Sequence, residues 1–217
     1  RPFALPDSSE QATVRLCARM PVPELTAFDA AGNPNPIAPA AGRGLFVSLW
    51  ASWCPACISE FTEFAAHKTK LEQANFDLLA LCVNGLGEGD ETNFGQAESR
   101  LRKFGVKVAH RRADASLLEQ LRIIANRVIA QNEPLPLPSG FLLDPDGNLV
   151  AFYRGPAPVE RLLEDAASLR LKDSAAIFRA ALPYPGTWIG ESRRHPLDRL
   201  ANEFIDADFT GAGLAFA

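Results

Sequence analysis

The sequence predicts an α/β sandwich built on a mixed sheet, and three observations carry that prediction. Short apolar runs of strand length alternate with longer stretches of helical periodicity from residue 44 onward. The last two apolar runs flank Asp146-Gly147, a tight-turn signal that makes them an antiparallel hairpin within an otherwise βα-alternating chain. With 217 residues, 47% of them apolar and 22% charged, there is room for one well-filled core plus extensions.

Residues 1–43 are rich in Pro, Ala and Gly and read as an N-terminal extension. Within it, Thr13–Cys17 and Pro23–Phe28 are expected to form a hairpin on the sheet edge, with Asn33-Pro34-Asn35-Pro36 and Gly42-Arg43-Gly44 as turns. The first strand of the central unit (44–170) is the run Leu45–Trp50. A helix over 54–71 follows, with Phe61, Phe64, Ala65 and Leu71 near helical spacing, then a strand over 77–83. Gly85 to Asp90 reads as a flexible acidic loop. Phe94, Ala97, Leu101 and Phe104 form one face of a helix stopped by Gly105, and Val106 to Ala109 is a short strand. Ser116 with Glu119 gives a capping-box start for a helix that must stop before Pro134. Strands Phe141–Asp144 and Leu149–Tyr153 surround the Asp-Gly turn, and Pro158 opens a further helix. Beyond it, residues 171–217 are expected to hold one helix over 175–182 and an irregular aromatic tail (Trp188, Phe204, Phe209, Phe216) packed on the domain or on a neighbouring chain.

The chemistry concentrates in Cys54-Pro55-Ala56-Cys57, where the buried strand hands over to the helix. Unpaired backbone N–H groups and the positive end of the helix dipole favour an anion there, so Cys54 ionises more readily than a free thiol. Cys57 lies one turn on, within reach of a disulfide. A zinc site needs four ligands, usually in two close pairs. Cys17 and Cys82 are isolated from each other, and His67, His110 and His195 are scattered, so a dithiol/disulfide redox pair is the reading. Cys17 and Cys82 themselves read as buried small hydrophobes.

A net charge of −4 argues against nucleic-acid binding, and the basic cluster Lys103, Lys107, Arg111, Arg112 reads as a solvated face. No apolar run is long enough to span a membrane. The chain starts at Arg1 without an initiator Met and reads as a processed protein or a piece of a longer one.

Taken together, Leu49-Trp50-Ala51-Ser52-Trp53-Cys54-Pro55-Ala56-Cys57, Glu60 and Pro138-Ser139-Gly140-Phe141-Leu142-Leu143-Asp144-Pro145-Asp146-Gly147 resemble the TlpA/ResA-like thiol–disulfide oxidoreductases of the redoxin superfamily, over roughly residues 20–170. The resemblance implies a thioredoxin-like three-layer α/β/α sandwich and thiol–disulfide exchange without a cofactor. Cys54 would be the nucleophile, Cys57 the resolving thiol, and Pro138 the family's cis-proline facing the pair. Leu137 would offer its backbone to an extended substrate segment, and Trp53 and Pro55 would flank the site. Glu60 matches a family glutamate that takes the buried thiol's proton, with its pKa raised towards neutrality by burial. The implied partners are a protein disulfide substrate and a redox partner protein, and the implied location is extracytoplasmic.

Two departures stand out: Thr62 replaces a helix-kinking proline, and Ser48 occupies the strand position where thioredoxins carry a buried aspartate. The segment 111–137 is longer than in most relatives and is expected to border the active site. A peroxidase would want Thr or Ser where Ala51 stands, and its cysteine spacing differs. A binding module within a larger protein is the non-enzymatic alternative. Copper delivery would want a wider cysteine spacing and a partner histidine. The direction of electron flow stays open.

Overall fold

A computed structural model describes residues 12–87, 90–130, 132, 134–182 and 197–216. In chain order the elements are β1 (Ala12–Met20), β2 (Thr26–Phe28), β3 (Pro34–Pro36), β4 (Gly44–Trp50), α1 (Pro55–Ala66), α2 (Lys68–Gln73), β5 (Phe76–Cys82), α3 (Phe94–Arg102), β6 (Ala109–Arg112), α4 (Ala115–Ile129), β7 (Ser139–Leu143), β8 (Leu149–Arg154), α5 (Val159–Ala166), α6 (Ser174–Ala181), α7 (Leu197–Asp206) and α8 (Thr210–Leu214). Among the described residues the strands form one sheet in the order β1-β8-β7-β4-β5-β6-β2-β3. β4, β5 and β6 run parallel, and the other pairings are antiparallel.

β4 is buried along its whole length, as a strand covered on both faces must be, which is why it reads as an unbroken apolar run. Gly140 in β7 is a packing requirement. A Cβ there would stand 2.6 Å from the ring of Phe46, so the aromatic of the neighbouring strand fills the space a side chain would need. Gly147 completes the Asp-Gly turn at φ 84, a conformation glycine adopts without strain.

The ends of the chain depart from the sequence reading. β1 and β2 do not form a hairpin: β1 pairs with β8 at one edge, and β2 pairs with β6 and β3 at the other. Each edge exposes unpaired backbone groups and gains from a covering strand. Pro34 and Pro36 lie in β3 at the outermost position, where a missing N–H costs nothing.

The helix expected over 54–71 is two helices, broken at His67 (φ −113, ψ 18). It runs unbroken through Thr62, whose hydroxyl donates to the Ile58 carbonyl at 2.7 Å. Gly105 takes φ 65, three residues beyond the end of α3. β6 lies three residues later than expected, in register with β5 from Leu79↔Ala109. α4 is capped by Asp114, which accepts the Leu117 N–H at 2.7 Å. A carboxylate at the positive end of the helix outcompetes the Ser116 hydroxyl two residues in.

Among the described residues the tail is largely helical. α7 buries Leu200, Ala201 and Phe204, packs against α4, and Phe204 meets the rings of Phe209 and Phe216. Pro183, Pro185, Trp188 and His195 lie outside the described residues. Among those described, no helix is long and apolar enough to cross a membrane.

Candidate active site

Cys54 and Cys57 are joined as a disulfide, with Cα atoms 5.3 Å apart. Cys54 is the N-cap of α1. Its backbone is extended (φ −80, ψ 113), and its Sγ accepts the Cys57 N–H at 3.2 Å. The chain therefore places one sulfur on the orphan N–H groups of a helix start, and Pro55 at the first helical position contributes no competing donor. An anion on Cys54 would meet both that N–H and the helix dipole. Both cysteines are buried, Cys54 at 4% exposure and Cys57 at 0%.

The Leu137–Pro138 peptide bond is cis, and the Leu137 carbonyl oxygen lies 3.6 Å from Cys54 Sγ. Two bonds hold this loop: Ser139 Oγ donates to the Pro136 carbonyl at 2.8 Å, and Gly155 N–H donates to the Pro138 carbonyl at 3.0 Å. Pro55 and Trp53 are exposed beside the pair, whereas Trp50 is fully buried against Phe61.

Glu60, three residues beyond Cys57 on α1, is buried. Ser48 Oγ donates to its Oε2 at 2.6 Å, and the Ala157 N–H donates to its Oε1 at 2.8 Å. Burial pushes its pKa from 4.5 up to about 7, against the opposing pull of those two donors. Ser48, read as a departure, is thus a direct partner of the carboxyl.

Two residues escaped the sequence reading. Asn84, two residues past the end of β5, is buried and clamps the turn before the cysteines. Its Oδ1 accepts the Ser52 N–H at 2.9 Å, and its Nδ2 donates to Ser52 Oγ at 2.7 Å. Asn84-Gly85 reads in sequence only as a turn, and nothing local connects it to a residue 32 positions away. Asp90, within the acidic loop, accepts the Trp53 indole N–H at 2.8 Å.

Cys82 is buried and free, with burial pushing its thiol up to about 11. Cys17 is only half-buried. Their strands stand four apart in the sheet, roughly 19 Å at about 4.8 Å per strand, so they remain separate thiols. α4 does border the site: Ala115, Leu118, Glu119 and Arg122 share a groove with Trp53 and Leu137.

A sequence profile of the Redoxin family matches residues 18–169, which take in both cysteines, Glu60 and Pro138. The chain belongs to the Redoxin family. Among similar proteins, the thiol-disulfide oxidoreductase ResA of Bacillus thuringiensis (strain Al Hakam) is 24% identical over 140 residues, covering 64% of this chain and 71% of the relative. The ResA of Bacillus subtilis (strain 168) is 24% identical over 147 residues, covering 68% and 72%.

Solved structures share the fold of this Redoxin-family chain. A thioredoxin-family thiol:disulfide interchange protein from Chlorobium tepidum TLS superposes with TM-score 0.54 at 17% identity, over 70% of this chain and 97% of its own. A secreted thiol-disulfide isomerase from Corynebacterium glutamicum gives 0.53 at 16% identity, over 77% and 95%. The fold is thioredoxin-like, built on one mixed sheet.

Proposed function

We propose that this Redoxin-family thiol–disulfide oxidoreductase reduces disulfides of partner polypeptides through Cys54 and Cys57. The Cys54 thiolate displaces one sulfur of the substrate disulfide. A mixed disulfide forms, and the leaving thiolate takes up a proton. Cys57 then loses its proton and attacks Cys54 Sγ, breaking the mixed disulfide and releasing the second substrate thiol. Two electrons pass to the substrate and the Cys54–Cys57 disulfide remains, to be reduced again by a dithiol partner protein.

The observation that carries this reading is the bonded pair at the N-terminus of α1, with the Cys57 N–H on Cys54 Sγ. Glu60, on the same face of α1 as Cys57, is the acceptor for the Cys57 proton, because a carboxyl with a pKa of about 7 can take and return a proton near neutrality. The Leu137 carbonyl beside Cys54 suits pairing with an extended substrate backbone. An extracytoplasmic place of action belongs to the same proposal, supported by likeness to a protein described as secreted.

The test is the equilibrium reduction potential of the pair, by glutathione or dithiothreitol titration with thiol trapping and mass spectrometry. A value near or below about −250 mV supports the reductant; one above about −180 mV reverses the direction. Cys57→Ser should accumulate the mixed disulfide on Cys54, and Cys54→Ser should abolish exchange. A pair that never forms a disulfide overturns the reading.

A further inference from the structure

Trp53 immediately precedes Cys54 and is 49% exposed, and Leu86 across from it is 37% exposed. They line an apolar groove of about 350 Å³ together with Leu118 of α4, Leu135 and Leu137. A side chain as open to solvent as Trp53 ordinarily samples several rotamers. This one is tied: its Nε1 donates to Asp90 Oδ2 at 2.8 Å. The same carboxylate accepts the Gly85 and Thr92 N–H groups, each at 2.9 Å, and the Thr92 hydroxyl. The donors from Gly85 and Thr92 are near neighbours of Asp90 in the chain; the indole is the one donor here that comes from the cysteine turn. These hydrogen bonds, led by the Thr92 hydroxyl, hold Asp90 below the usual carboxylate range, so it stays an acceptor wherever exchange runs.

Any disulfide attacked by Cys54 must bring a sulfur onto Cys54 Sγ, itself 3.6 Å from the Leu137 carbonyl oxygen. The residues flanking that sulfur then lie over Leu137 and Trp53, at the mouth of the groove. We propose that Asp90 is a positioning residue for substrate selection: it fixes the Trp53 indole as a wall of the groove, which takes an apolar side chain flanking the reacting cysteine of a polypeptide disulfide. The proposal rests on the thiol–disulfide reading and names its substrate class. Glutathione disulfide, with no apolar flank, would react without filling the groove.

The experiment compares two disulfides against the reduced protein in single turnover. One is a synthetic peptide with leucine beside a cysteine bonded to glutathione; the other is glutathione disulfide. The readout is the ratio of the two second-order rate constants. Replacing the peptide's leucine by serine should lower the wild-type ratio about tenfold, the scale of one lost apolar contact. Asp90→Ala should lower it by a similar factor. Asp90→Asn, whose single acceptor oxygen cannot serve both the Thr92 donors on one side and the indole and Gly85 N–H groups on the other, should act in the same direction.

The double-mutant cycle decides the route, because coupled residues are non-additive. In a Trp53→Phe background, which has no indole donor, either Asp90 substitution should change the ratio less than about twofold. An unchanged ratio in both single variants, or an equal loss in the Phe background, overturns the proposal. Wild-type protein that reacts with neither disulfide overturns the thiol–disulfide reading instead.

Discussion

Glu60 and Asp165 are buried carboxyls on helices covering the same sheet, and burial raises the pKa of both. Their partners differ. Glu60, on α1 beneath the cysteine pair, receives only neutral donors, the Ser48 hydroxyl and the Ala157 N–H. Asp165, on α5 beside the β1 edge, receives the Tyr153 hydroxyl and an ion pair from Arg15. A buried carboxylate with a cation beside it is held as part of an ionic network; one without a cation gains little by ionising and keeps its proton to near neutrality. Burial alone therefore does not mark a proton-transfer group. The absence of a compensating charge is what sets Glu60, the proposed proton acceptor, apart from Asp165.

The comparison breaks most forcefully at Asp165. Asp165→Ala leaves the Tyr153 hydroxyl facing a gap and the Arg15 guanidinium with Glu164 alone. It is expected to cost about 4 kcal/mol in urea unfolding, the scale of breaking a buried pair from one side. The exchange rate per folded molecule should stay within about twofold, since the only link is through the common sheet. A large loss of rate with intact stability would erase the distinction.

Glu60→Gln is the next test. Glu60 has a folded pKa above its unfolded one, so its contribution to stability is full below about pH 4.5 and is lost as pH rises to about 7. Wild-type stability should fall by about 3 kcal/mol across that window, and the variant should not show the fall. The same variant should slow resolution of the mixed disulfide roughly a hundredfold, seen by quenched-flow trapping. A wild-type slope equal to that of the variant would place the Glu60 titration elsewhere.

The smallest effect sharpens the contrast. Ser48→Ala removes a donor that favours the ionised Glu60. The midpoint of the pH–rate profile for resolution should move up by about one pH unit, the worth of one hydrogen bond to a charged group. An unmoved midpoint would mean that Ser48 merely fills space.

Much of the site was legible because its signals are local in the chain. A buried parallel strand is written as an apolar run, a helix start as Cys-Pro, and a hairpin as Asp-Gly; each is a short-range requirement of backbone geometry. The missed residues act over distance. Asn84 meets Ser52 and Asp90 meets Trp53 only after β4 and β5 lie side by side with their ends aligned, Trp50 opposite Cys82. The edge strands failed for the same reason. Ala12–Met20 and Thr26–Phe28 each mix apolar and polar residues, and nothing within them says which edge they cover.

Spacing and periodicity dictate the cysteine pair at a helix N-terminus, the strand that feeds it and the α/β alternation before any packing, whereas the place of Pro138 came from the family resemblance of its segment. Only the tertiary structure decided that Ser48 bonds Glu60, that Asp90 holds Trp53, and that α7 packs against α4. Those outcomes depend on which side chains meet across elements far apart in the chain. That choice is made by burial of the whole core at once, and no local pattern encodes it.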